Sequence, residues 1–354
     1  MNLLNKYFPI SKKIPIDKFI YNALYDKDYG YYSKKIPFGK NGDFITSPGI
    51  SSIFSEIIAL WIIAFWEHLE KPKVFNIVEL GPGSGQMCAT LVKVFRKFPI
   101  FFSAANIFLY EKSKTLKDLQ KKNLNHEKIN WIKNFNKIKK GPVIFLGNEF
   151  FDAIPIKQFK RINNILYERH VELKNNSEIK TIFRKASLKA IIKLKKYNLL
   201  KKHSFIEFPK QGLSELSLII NTIKKLNGGL LLIDYGFLKQ QSKNTLQSVK
   251  NHKQNMIFKN VGNADISSLV NFDLLEKYLK GKKLKVNNIV TQEFFLKKMG
   301  IINRAESISR KINFKEKSNL YLRLQRLLNP KQMGKLFKVI SAFKVKKKFS
   351  LGFI

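Results

Sequence analysis

Glu79 is followed within six residues by Gly81, Gly83 and Gly85, in the stretch VELGPGSGQM. Glycine lacks a Cβ, so such a run lets main-chain N–H groups approach a ligand and lets the chain turn sharply. The spacing Gly-x-Gly-x-Gly is not the Gly-x-Gly-x-x-Gly of dinucleotide folds, and no Gly-Lys-Ser/Thr follows, which excludes a P-loop. About thirty residues on, the apolar stretch NIFLYE ends in Glu111. A carboxylate there can accept hydrogen bonds from both hydroxyls of a ribose, a geometry shared by nucleotide binders and S-adenosylmethionine binders. The loop separates the two. A pyrophosphate prefers the longer glycine fingerprint and no nearby carboxylate, whereas the sulfonium and ammonium of S-adenosylmethionine make Glu79 an asset. The combination favours a class I methyltransferase.

Such residues need a strand-to-turn-to-helix unit to hold them, and the flanking pattern supplies one. Val74 to Leu80 reads as a buried strand, and residues 85–97 as a helix with Met87, Leu91 and Phe95 on one face. Further short apolar strands are expected at 106–111, in KINWI, at 141–150 and at 228–236, separated by helical stretches such as KTLKDLQKKNLN. Strand–helix repeats of this kind predict a mostly parallel, doubly wound α/β sheet, whose ligand sits beyond the carboxyl ends of the strands. Residues 1–70 read as a helical arm, a loop rich in Gly, Ser and Pro that covers the site, and a buried helix from about 50 to 69. Residues 71–155 and 205–293 read as the Rossmann-like core. An inserted hairpin and lysine-rich helix are expected at 156–204, and a helical insertion plus a closing strand at 294–354.

Composition narrows the classes. One cysteine, Cys88, excludes an internal disulfide and a multi-cysteine metal site, and the five histidines, His126 and His252 among them, show no metal-ligand spacing. Cys88 reads as a small buried apolar residue. The longest apolar run, Ile57 to Trp66, is about half of what a membrane-spanning helix needs. The net charge of +41 suits an anionic partner. The excess is nearly all lysine, however, spread along a chain also rich in Asn, Ile and Phe, as an AT-rich genome would produce. No nucleic-acid partner is expected.

The stretches GDFITSPGISSIFSE (42–56), VELGPGSGQM, NEFFDAIPIKQF (148–159), LIDYG (232–236), TLQSVKNHK (245–253), GNADISSLVNF (262–272) and LLNPKQMGKLFKVISA (327–342) resemble, in order and over nearly the whole chain, the MidA family of S-adenosylmethionine-dependent methyltransferases. The resemblance implies a Rossmann-like class I core with extra helices. By likeness to the mitochondrial members it also implies methylation of an arginine on a respiratory complex I subunit or its bacterial counterpart, with complex I assembly as the setting. The location implied is the cytoplasm of a bacterium or, in a eukaryote, the mitochondrial matrix, although no clear transit peptide is present. On that reading Asn148 joins Glu79, Gly81, Gly83, Gly85 and Glu111 at the cofactor. Glu149 and Asp152 would hold a guanidinium, with Asp43 brought over from the N-terminal loop; Glu56 of the same segment, Asp234, Tyr235 and Asp265 are further candidates. Gly49 stands where the family usually has Glu, Asn271 where it has Asp, and Ser84 and Gln86 where Arg and Thr are frequent. A nucleic-acid methyltransferase and a non-catalytic cofactor-binding assembly factor are the alternatives. Against the first, Asn148–Phe151 lacks the two prolines of the amino-methylating motif; against the second stands the intact glycine loop.

Overall fold

The computed structural model describes residues 3–9, 11–39, 42–124, 128–175, 177–200, 203–239 and 241–354. Expectations that touch Asn125, His126, Lys201 or Lys202 lie outside these described residues. The central strands are β1 (Phe75–Leu80), β2 (Ala105–Tyr110), β3 (Ile129–Ile132), β4 (Val143–Asn148), β5 (Gly228–Phe237), β6 (Lys285–Val286) and β7 (Phe337–Lys344). They lie in the order β3-β2-β1-β4-β5-β7-β6. Pairing is parallel from β3 to β5, and β7 runs antiparallel to both of its neighbours. The mostly parallel, doubly wound sheet read from the sequence is therefore the fold.

Every residue of β1 is buried, as a strand covered by helices on both faces requires. One cover is α1 (Ser52–His68), whose N-cap Ser51 accepts a hydrogen bond from Ile53 N–H. It is apolar nearly all round because it is enclosed nearly all round: the fully buried Trp61 packs between Phe65, Phe343 and Phe349. Burying one such side chain contributes about 1.5–3 kcal/mol. Next to it α2 (Gln86–Phe95) starts at Gly85, and α3 (Lys114–Asn123) follows β2. The helix Lys210–Leu226 covers the other face through Leu213, Leu216, Ile220 and Ile223.

Two smaller sheets stand outside this core. The expected hairpin strands Ile165–Lys174 and Glu178–Lys185 pair antiparallel, inside a five-stranded sheet that also takes in Lys13–Pro15, Lys157–Ile162 and Phe205–Phe208. Residues 247–267 contribute a three-stranded antiparallel ribbon. The stretch read as a covering loop, 30–56, holds one-turn helices at Tyr31–Lys34 and Ser47–Ile50, and it buries Tyr31 and Tyr32. Among the described residues no helix is long and apolar enough to cross a membrane.

Candidate active site

A cavity of about 310 Å³ opens beyond the carboxyl ends of β1, β2, β4 and β5. One wall is the glycine loop. Gly81 and Gly83 have φ of 62° and 57°, in the left-handed region, and both line the cavity. A Cβ on Gly81 would meet the Phe150 ring at 3.0 Å, and one on Gly83 the Phe38 ring at 3.1 Å. Gly85 does not reach the cavity wall; at φ 84° it starts α2, and its Cβ position is filled by Leu124. Its place in the structure is the start of that helix.

Glu79, next to last in β1, is 3% exposed, with Oε2 buried and without a partner among the described residues. Burial, and then the nearby Glu111, push its carboxyl up to about 8. Glu111 is held in place: Oε1 accepts from Ser113 N–H at 2.8 Å and Oε2 from Gln120 at 3.1 Å. Burial raises this carboxyl too, partly offset by those hydrogen bonds. Gln120 is the link the sequence reading missed. From a helix that looks solvated, its fully buried amide donates to Glu111 and to the Gly83 carbonyl, and it accepts from Trp131 Nε1. It ties Glu111 to the glycine loop. The odd feature in the sequence is one glutamine among lysines on the face that carries Leu116.

The other wall is acidic and comes from distant segments. Asn148 ends β4; its Nδ2 donates to Glu149, and its Oδ1 is buried without a partner among the described residues. Glu149 sits at φ 51°, which a non-glycine residue holds only when its surroundings enforce it. The enforcing contacts are Glu149 N–H to the Ile233 carbonyl, and Ser47 N–H to Glu149 Oε1 at 2.9 Å. Burial raises the Glu149 carboxyl to about 7. Asp152 accepts from Tyr235 at 2.6 Å, keeps Oδ1 without a partner among the described residues, and is raised chiefly by burial. Asp265 accepts from Tyr32 at 3.1 Å and is pushed up to about 7 by burial and by Asp152. Behind them Asp234 accepts from Phe150, Phe151 and Asp152 N–H, which fixes the turn leaving β4.

Asp43 is not part of this wall. It does not line the cavity, and its fully buried carboxylate is taken up by Tyr31 at 2.5 Å, Asn251 N–H at 2.6 Å and Lys35 at 2.6 Å. Burial would raise it, but these three partners outweigh burial and hold it below the usual range. Glu56 is likewise engaged, by Arg304 at 2.6 Å. The N-terminal segment does cover the cavity, but through Phe38, Phe44, Ile45 and Thr46 rather than through an acid.

Residues 57–290 match the family described as "Putative S-adenosyl-L-methionine-dependent methyltransferase". The chain belongs to this family. Among relatives, the "Protein arginine methyltransferase NDUFAF7, mitochondrial" of Homo sapiens is 28% identical, over 92% of this chain and 78% of its own. The protein of that name from Danio rerio is also 28% identical, over 93% and 83%. A COG1565 superfamily member from Burkholderia thailandensis, solved bound to S-adenosyl-homocysteine, shares the fold: TM-score 0.79, 20% identity, 94% of this chain and 88% of that one.

The cofactor of this methyltransferase is S-adenosylmethionine, and the cavity fits it. Two left-handed glycines give close backbone approach, Glu111 offers a pre-oriented acceptor, and the free oxygens of Glu79 and Asn148 await polar partners. The family departure at Asn271 is benign, since its side chain caps the helix Phe272–Gly281 by accepting from Leu274 N–H.

Proposed function

We propose that this methyltransferase modifies an arginine side chain of a protein. The observation that carries the reading is the charge of the acceptor wall: Glu149, Asp152 and Asp265 face one cavity whose only lining cation among the described residues is Lys112, itself paired with Glu215. Buried carboxylates without a counter-charge are costly, and a guanidinium supplies the missing cation. Glu149 and Asp152 are assigned to grip it, and their planar carboxylates suit bidentate contact. S-adenosylmethionine supplies an electrophilic methyl group. The chain's own residues do the rest. Phe150 and the covering segment restrict water, Tyr235 and Ser47 fix the two acids, and one nitrogen of the guanidinium is held toward the cofactor. As that nitrogen gains its methyl group it must lose a proton. Glu149, with a carboxyl at about 7, can hold that proton at neutral pH. Asp43 is assigned to fastening the covering segment. The names of the relatives support arginine as the acceptor. By family resemblance, a respiratory complex I subunit or its bacterial counterpart is the first target to assay.

The test incubates the full chain with methyl-labelled S-adenosylmethionine and cell extract, with and without RNase, followed by amino-acid analysis of the labelled protein. Methylarginine that survives RNase is expected. Label confined to RNA, or to lysine, would contradict the assignment.

A further inference from the structure

Beside the acidic cavity runs a second space, a groove of about 490 Å³ between the covering segment, the start of α2 and the helix α4 (Phe314–Leu328). The two share Phe38, Ile45, Thr46, Ser84 and Gln86 in their linings, so they are neighbours. Their chemistry is opposite. Among the described residues six carboxylates line the cavity, whereas no Asp or Glu lines the groove, which carries Arg323 and Arg326 instead. Both arginines are exposed, and neither has a carboxylate partner among the described residues. Gly49 and Ser84, which bear no long side chains, also line it.

The identity of these two cations carries weight. Of 66 basic residues only eight are arginine, and four of the eight fall between 304 and 326. The planar fork of arginine grips carboxylates and amides as an ammonium cannot. Arg304 and Arg169 fit that rule, the first bonded to Glu56 and the second to Gln158 and Thr181. Arg323 and Arg326 stand one helical turn apart on α4, where adjacent side chains share a face, and they have no such partner of their own.

We infer that the groove is a carboxylate-recognising subsite, and that it receives an acidic segment of the protein substrate next to the arginine held in the cavity. The inference rests on a protein being the methyl acceptor and narrows its class. A ligand that crosses from cavity to groove meets negative walls and then positive ones, which matches an arginine with glutamate or aspartate a few residues away.

The test measures binding rather than transfer, so it stands apart from the test of the acceptor itself. Full-length protein saturated with S-adenosylhomocysteine is titrated, at physiological salt, against a labelled peptide with a central arginine and glutamates to either side. The comparison is the same peptide with glutamines. The glutamate peptide should bind about tenfold tighter. In Arg323→Gln/Arg326→Gln that preference should disappear, with S-adenosylhomocysteine affinity unchanged. Lys195→Gln/Lys196→Gln, which removes equal charge from an exposed helix outside the groove, should keep it. Three results would overturn the subsite: no preference in the parent protein, equal loss in both double variants, or weakened S-adenosylhomocysteine binding in the arginine variant. The last would assign the guanidiniums to the cofactor's own carboxylate. A retained preference with no arginine methylation would instead overturn the proposed acceptor and leave the groove standing.

Discussion

The cavity has two halves built in different ways. On the cofactor side, Glu79, Gly81, Gly83, Glu111 and Gln120 come from two consecutive strand–helix units, and hydrogen bonds that span at most 37 residues of sequence tie Glu111 and Gln120 to the glycine loop. On the acceptor side, Tyr32, Ser47, Glu149, Asp152, Tyr235 and Asp265 come from five separate segments and are joined by contacts that span up to 233 residues of sequence. The first half is a local motif that the fold delivers intact. The second exists only once the N-terminal segment and the 247–267 ribbon have docked on the sheet. Binding of the cofactor and alignment of the acceptor are therefore expected to respond to different substitutions.

The largest expected effect breaks the cofactor half alone. Gly83→Val places a β-branched side chain at φ 57°, with its Cβ 3.1 Å from the Phe38 ring. S-adenosylmethionine binding measured by calorimetry should be lost while the circular dichroism spectrum stays native; unchanged affinity in the folded variant would remove the glycine loop from the site. Glu111→Ala should weaken binding by about 1–3 kcal/mol, since charged hydrogen bonds to a ribose are lost. It should leave the acceptor half's response to Glu149 substitutions intact.

A pH series sharpens the comparison further. Glu79 is raised to about 8, so it is mostly neutral at pH 6 and charged at pH 9. A cationic ligand selects the charged form, so S-adenosylmethionine affinity should rise across that interval. The unliganded fold should respond in the opposite sense. A carboxyl whose folded pKa lies above its unfolded value contributes most below the unfolded pKa, and that contribution is lost as pH rises through the folded one. With Glu149 and Asp265 near 7 and Glu79 near 8, the melting temperature of the free protein should fall between pH 6 and pH 9. The added cofactor should restore more of it at pH 9 than at pH 6. A free protein whose melting temperature does not change over this range would mean that these acids have solvent or partners in the folded state.

The same division explains what could be read from sequence. The parallel strands, α1 and the glycine turn carry strong local signals: continuous apolar runs, helical spacing, clustered glycines. The strands Lys157–Ile162 and Phe205–Phe208 were not anticipated, since they are short, only partly apolar, and stabilised by partners far along the chain. Glu149 and Asp152 are legible because both leave the strand that ends at Asn148, and Glu149 also because an acid beside Phe150 and Phe151 needs a reason to be buried. Asp43 looked equivalent, yet its three partners lie at Tyr31, Lys35 and Asn251, and only the folded chain shows that its charge is already used. Asp265 is legible only as a candidate among several acids, and Gln120 carries no local mark strong enough to separate it from ordinary polar residues.

The separation of the two halves is tested most directly by measuring S-adenosylmethionine affinity and methyl-transfer rate side by side in Glu149→Gln. The substitution keeps the shape and the Ser47 N–H contact but removes the charge assigned to the guanidinium. Cofactor affinity should stay within about twofold of the parent protein while transfer falls by about tenfold or more, an acceptor-side loss of at least ~1.4 kcal/mol. Transfer at the parental rate, or a matching loss of cofactor affinity, would contradict the account.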